Sequence, residues 1–404
     1  MKKCVFLFAS VLFFAVMALP AFTVTEVRIT GWPGNDGENK GIDNMVTSFN
    51  ATHPDIKVIW EPIANNYPDQ IKTRLAGGTA ADLMYIDVSI FEEFAKSGSL
   101  LPLDTYMKDF AWKDIPQPLV DGFTYNKRIY GVAKDFSTLG LYFNKAIFDK
   151  YKIAYPKDGI TYTEFYKLLK ILKDKGVTTP IVVNADFNRL IPFINAYGGK
   201  VVDDNLRSGF GDPNTIRAVE DYVNMVVRDK VGQTASSLGA GWEAEAFGKE
   251  QVAMIMSGPW CIGYLRDTFP NVFKTTGIVE MPKDKKQATM IYTVCWSVNK
   301  NTKNRAACIE VLKYLVTGGQ EIFMKASGVL GSSLINAAKD TDPIKKAFYA
   351  GAKYGTPWRI PTPSGNFSKA NDEINRGLTE ALAGKLSVAD FCKQVVAGYD
   401  QWIE

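Results

Sequence analysis

From Val24 to Asp87 the sequence alternates three apolar strands with two helices, and this alternation constrains the fold more than any other feature. Val24, Val27 and Ile29 mark a strand that runs into Gly31-Trp32-Pro33-Gly34-Asn35, after which Ile42, Met45, Val46 and Phe49 recur at helical spacing. Ile56, Val58 and Trp60 alternate as a second strand, a helix opens at Tyr67-Pro68-Asp69, and residues 82–87 read as a third strand. Strands separated by helices predict a parallel sheet with helices on its faces, in which ligands bind beyond the carboxyl ends of the strands. The loops after Ile29 and Ile86 are therefore the first places to look for a site.

The pattern resumes at Gly131. Leu139–Phe143 reads as a strand, the capping box Thr161-x-x-Glu164 opens a helix, and Pro180–Val183 follows as another strand. Asp212-Pro213 opens the helix of Ile216, Val219, Val223, Val226 and Val227, with Asp at the cap and Pro at the first helical position. Val252–Met256, Thr276–Met281 and Tyr292–Val298 are further strands, and the last hundred residues are mostly helical. At 404 residues the chain is long enough for two or three domains of ordinary size. Two α/β lobes with a helical tail is the simplest architecture. No Pro/Gly/Ser linker separates them, so the chain is expected to pass between lobes through ordered strands.

Lys2 and Lys3, an apolar run from Val5 to Leu19 and the small residue Ala21 have the order of a cleaved secretory signal, which predicts export to the periplasm or the extracellular space. The run is shorter than the roughly 20 residues a retained spanning helix needs. Cys4 precedes it and is therefore no lipid acceptor. Of the other cysteines, Cys261, Cys295, Cys308 and Cys392 lack metal-type spacing; they could form up to two disulfides, but the apolar helical settings of Cys308 and Cys392 favour buried thiols.

Composition excludes several functions. Without Lys2 and Lys3 the chain carries 45 basic and 43 acidic side chains, which is no footprint for nucleic acid. The lone histidine, His53, rules out a two-histidine zinc site, leaves any Ser-His or Cys-His nucleophile hanging on one side chain, and is most simply a surface turn residue. No phosphate loop, nucleophile elbow or dinucleotide fingerprint is present, so neither a cofactor nor a metal is expected.

Tryptophan placement carries more information. Trp32, Trp242, Trp260 and Trp358 each directly follow Gly or Pro in loop-like contexts, whereas Trp60 alternates with Ile56 and Val58 and belongs to the core. A flat ring held in a loop can offer one face to the C–H surface of a sugar, whose hydroxyls then need fixed polar partners. Such partners stand alongside: Asn35 and Asp36 near Trp32, Glu243 after Trp242, Arg359 after Trp358.

Four segments, Ala76-Gly77-Gly78-Thr79-Ala80-Ala81-Asp82, Gly131-Val132-Ala133-Lys134-Asp135-Phe136-Ser137-Thr138, Leu141-Tyr142-Phe143-Asn144-Lys145 and Ala253-Met254-Ile255-Met256-Ser257-Gly258-Pro259-Trp260, carry a resemblance over nearly the whole chain. In order and spacing they resemble the solute-binding proteins of ABC sugar importers, the maltose-binding-protein-like group. The resemblance implies an α/β, two-lobed periplasmic-binding-protein fold of type II. It implies a three-segment hinge, with 22–134 and 298–331 in an N-terminal lobe and 135–297 and 332–404 in a C-terminal lobe. Crossings are expected near 131–135, 292–298 and 329–333, although the family often has a proline where this chain has Gly331. Carried over by position, the ligand-facing residues are Trp32, Asn35, Asp36, Asp87, Asp135, Trp242, Glu243, Trp260, Tyr292, Trp296, Trp358 and Arg359. Asp82 is expected to be structural.

The implied function is a non-enzymatic, monomeric receptor that closes on a disaccharide, short oligosaccharide or glycoside and delivers it to the membrane permease of an ABC importer. The main competitor is a secreted glycoside hydrolase, which needs two carboxylates about 5 to 10 Å apart. Asp87, Asp135 and Glu243 could be recruited to it, but no pair is marked by sequence. A surface adhesive module would require repeats or an anchor, and neither is seen.

Overall fold

The computed structural model describes residues 24–34, 36–363 and 367–403. The expected export signal over 1–21, Cys4 and Asn35 lie outside the described residues. The opening alternation forms a parallel unit: β1 (Thr25–Gly31) pairs with β2 (Ile56–Pro62) and with β3 (Leu83–Asp87), Ile29 lying opposite both Trp60 and Leu83. The helix Asp36–Thr52 buries Gly41, Ile42, Met45 and Phe49, the stripe its apolar spacing predicts.

A hairpin of β4 (Thr124–Tyr125) and β5 (Arg128–Ile129) turns through Asn126 and Lys127 at φ of 47° and 62°, the left-handed pair that a tight two-residue turn demands. It leads into β6 (Gly131–Thr138). After Leu139 alone, β7 (Gly140–Asn144) begins a second sheet with β8 (Ile181–Val182), β9 (Gly232–Gln233), β10 (Met254–Ser257) and β11 (Thr276–Glu280). The chain then returns to the first sheet as β12 (Met290–Val298), β13 (Leu330–Gly331) and β14 (Thr356–Pro357). The first sheet runs β13-β6-β12-β3-β1-β2 with β14 beside β12, and the second runs β11-β7-β10-β8-β9. In the first, β12 is antiparallel to both β3 and β6.

The first two of the three passes between sheets are stitched together. The Leu139 amide donates to Thr289 Oγ1 at 3.0 Å, and that hydroxyl donates to the Leu139 carbonyl at 3.1 Å, both buried. The expected first boundary, between 134 and 135, falls inside β6, which keeps pairing with β12 as far as Thr138. The expected segment 292–298 lies wholly within β12, and 329–333 holds β13, which pairs with β6. The chain leaves the first sheet for the last time after β14.

Two cores follow from this division. One packs the first sheet against the helices Asp36–Thr52, Arg305–Leu315 and Gly318–Ser327, and continues under Phe247, Cys261 and Leu265. The other gathers Phe165, Leu169, Leu190, Phe193, Val219, Ile374 and Phe391 around the second sheet. The helices Ser368–Leu382 and Val388–Trp402 form the helical C-terminal region and belong to the second core. Local signals hold where they were read: Glu164 N donates to Thr161 Oγ1 while the Thr161 amide donates back to Glu164, and Asp212 caps Asn214 and Thr215 ahead of Pro213. Cys261, Cys295, Cys308 and Cys392 are all buried free thiols, and burial pushes Cys308 and Cys392 up to about 12. Among the described residues no helix is long and apolar enough to cross a membrane.

Candidate functional site

A cleft of about 330 Å³ opens where the carboxyl ends of β1 and β3 face the turn after β10, with β6 and β12 along its floor. One wall is polar. Trp32 follows β1 with its ring held edge-on by Tyr67 and Tyr85, at centroid distances of 5.1 and 5.2 Å. Asn39 clamps the Gly34 amide and carbonyl, fixing the loop. Asp87, at the end of β3, accepts from the Ser89 amide at 2.9 Å and its hydroxyl at 2.5 Å. Burial raises the Asp87 carboxyl above the usual range despite these bonds, and burial likewise raises Glu38 against the pull of Lys134.

Lys134 and Asp135 meet this wall through a bulge. Asp135 opposes Val294 and Ala133 opposes Cys295, so Lys134 is the extra residue and the alternation of side chains is broken there. Both side chains therefore reach the cleft, where they form an ion pair. The Lys134 ammonium also lies 4.1 Å from the ring centre of Phe323 and 5.2 Å from that of Tyr85, a desolvated cation–π setting.

The opposite wall is aromatic. Trp260 heads the helix Trp260–Thr268, and at 38% it is one of the few exposed large rings. The turn needs glycine at 258, because a Cβ there would lie 2.2 Å from the Trp260 ring. The Tyr142 hydroxyl fixes the same turn by donating to the Gly258 carbonyl at 2.6 Å. Tyr292, on β12, stands edge-to-face with Trp260 at 5.4 Å. Its hydroxyl donates to Asn188 Oδ1 at 2.7 Å and accepts from Arg189 Nη1 at 2.5 Å. Arg189 lies behind both rings, its Nη2 3.4 Å from Glu243, which accepts from Ser257 Oγ at 2.7 Å. Burial works against the Arg189 charge, but Tyr292, Glu243 and Asp186 outweigh it and the guanidinium stays protonated. Arg266, Asp342 and Lys345 stand at the rim.

Of the residues expected at a site, Trp32, Asp87, Asp135, Trp260 and Tyr292 line this one cleft. Glu243 is buried and pairs with Arg189. Asp36 lies exposed in the first turn of its helix, away from the lining. Trp296 does not line this cleft: it is fully buried in β12, packed on Tyr85 at 4.4 Å, because inward-facing positions of a central strand fall in the core. Trp242 packs on Tyr264 at 4.7 Å and contributes nothing to the lining. Trp358 enters the second core beside Phe187 and Phe367, lining a separate crevice of about 90 Å³ with Ser89 and Asn371. Arg359 points the other way, donating to the Gly122 and Thr124 carbonyls at 3.1 Å and facing Glu92 at 3.9 Å. Trp358 packs against both cores and Arg359 bonds the first, so the last pass between sheets is tied to both, and neither residue lines the cleft.

Glu38, Asn39, Lys134, Asn188 and Arg189 were not expected from sequence. Lys134 adjoins an expected residue, but strand alternation alone points it away from Asp135, and Arg189 in an apolar helix carries no sequence signal.

The model of the bacterial extracellular solute-binding protein family matches residues 34–321. Among curated relatives, a multiple sugar-binding protein of Streptococcus mutans is 22% identical over 301 residues, 68% of either chain. Among solved structures, the sugar-binding protein of Xanthomonas citri superposes with a TM-score of 0.84 at 18% identity, over 94% of this chain and 97% of that one. An ABC substrate-binding protein of Listeria monocytogenes in complex with cycloalternan gives 0.79 at 22% identity, over 94% and 98%.

Proposed function

Since the chain belongs to the bacterial extracellular solute-binding protein family, we propose that it is the capturing receptor of an ABC importer and that its ligand is a carbohydrate of two or more units. One observation carries this reading: the cleft sets the open face of Trp260 opposite a wall of fixed polar groups, Glu38, Asn39, Asp87 and Asp135. Sugar rings need that combination, an apolar platform for the C–H face and oriented acceptors for hydroxyls. The relatives point the same way, since the Listeria protein was captured with cycloalternan and the Streptococcus protein is named for sugars. The ligand-facing set is Trp32, Glu38, Asn39, Asp87, Asp135, Trp260 and Tyr292. Lobes joined through Leu139, Thr289 and the Trp358–Arg359 segment would close on it, and the closed form would be presented to a membrane permease outside the cytoplasm.

A purely binding role fits three carboxylates that are already committed: Asp87 to Ser89, Asp135 to Lys134, Glu243 to Ser257 and Arg189. The test is a thermal-shift screen against neutral di- and trisaccharides, maltose and mannotriose among them. A sugar present at 100 times its Kd adds about 2.7 kcal/mol. Chromatography of the recovered sugar after long incubation should return it unaltered; a cleaved product would establish the hydrolase instead.

A further inference from the structure

We propose that Arg189 is a positioning residue of this cleft: without lining it, its guanidinium holds the Trp260 and Tyr292 rings in the orientation that receives a sugar. The inference rests on the reading of the cleft as a carbohydrate site. Its side chain is 12% exposed and is not part of the lining. Its guanidinium carbon lies 5.4 Å from the Trp260 ring centre and 5.5 Å from that of Tyr292, so the two rings share one cation between them.

Four separate elements converge on this group. Arg189 rises from the first turn of the helix Phe187–Ala196, whose Asp186 cap fixes the neighbouring Asn188 at 2.7 Å. Nη1 donates to the Tyr292 hydroxyl on β12 and to Asn188 Oδ1 at 2.9 Å. Nη2 faces Glu243, the first residue of the helix Glu243–Gly248. Glu243 accepts from Ser257 at the end of β10, three residues before Trp260. The Nε of Arg189 is buried without a hydrogen-bond partner. An arginine kept in that position, with one donor unmet and its charge offset by a buried carboxylate, is a costly way to fill space. Its fork geometry, however, is what a single side chain needs to bond the Tyr292 hydroxyl while lying against two rings.

Removing Arg189 alone would strand the buried Glu243 charge, so the primary variant is the pair R189M/E243Q, which removes both charges at similar volume. The first measurement needs no ligand. The near-ultraviolet circular dichroism contributed by Trp260, taken as the difference from a W260F chain, should fall by more than half in R189M/E243Q. An unchanged contribution overturns the proposal whatever the protein binds. The second measurement is affinity for whichever panel sugar gives wild type its largest melting shift: R189M/E243Q should bind 10- to 100-fold more weakly. Equal affinity would also overturn it. If no panel sugar binds wild type, the carbohydrate reading fails while the spectroscopic result still decides the role of Arg189. Should the double variant not fold, R189K decides alone. It keeps the charge but loses the fork, and a wild-type Trp260 signal together with wild-type affinity would show that the fork is not needed.

Discussion

At the scale of single residues, two tryptophans that the resemblance carries to one site stand in opposite surroundings. Trp260 is 38% exposed over the cleft and Trp296 is fully buried. Trp260→Ala should weaken sugar binding by one to two orders of magnitude with little change in the melting temperature of the empty protein, because it opens no core cavity. Trp296→Ala should cost about 3–5 kcal/mol of stability. Paired melting curves and titrations separate the two effects, and the reverse pattern would move the site. Glu38 makes a pH-dependent prediction. Burial raises its carboxyl, opposed by Lys134 and supported by Asp135, so the folded chain holds that proton more tightly than the unfolded one. Stability is then lost as pH rises from the ordinary carboxylate range through the raised value. Glu38→Gln should therefore melt higher than wild type at pH 7, with the gain shrinking as pH falls toward about 4.

Elements were legible wherever local chemistry alone decides them. The strands β1 to β3, the capping box at Thr161 and the Asp-Pro start at 212 all follow from spacing or from hydrogen bonds within a few residues. What was not legible depends on partners distant in sequence. The bulge at Lys134 exists because β6 must register against β12, more than 150 residues later, and period-two reasoning therefore turns Lys134 away from the site. Trp358 follows a Pro as Trp260 does, but it packs against both cores, beside Phe187, while its neighbour Arg359 is claimed by the carbonyls of 122 and 124. A flanking Gly or Pro shows only that a ring sits in a loop; what the loop faces is decided elsewhere. The Gly258-Pro259-Trp260 turn supplies the sharper local test. Gly258→Ala puts a methyl against the Trp260 ring, so it should lower affinity about as far as Trp260→Ala does, and normal binding would mean that the ring tolerates displacement.

For the whole molecule, the cleft draws one wall from the first sheet and the other largely from the turn and helix after β10. A sugar touching both walls binds the approached state better and must shift the population toward it. Small-angle scattering should show a smaller radius of gyration at saturating sugar; an unchanged radius with confirmed binding would mean that the lobes do not swing. The cysteines bear on the chain's dealings with its surroundings. All four among the described residues are buried thiols, each held well above its ordinary value by burial, and it is the thiolate that reacts. Dithiothreitol should accordingly leave the melting temperature where it is. For the described part of the chain, folding then waits on no cross-link being made or sorted.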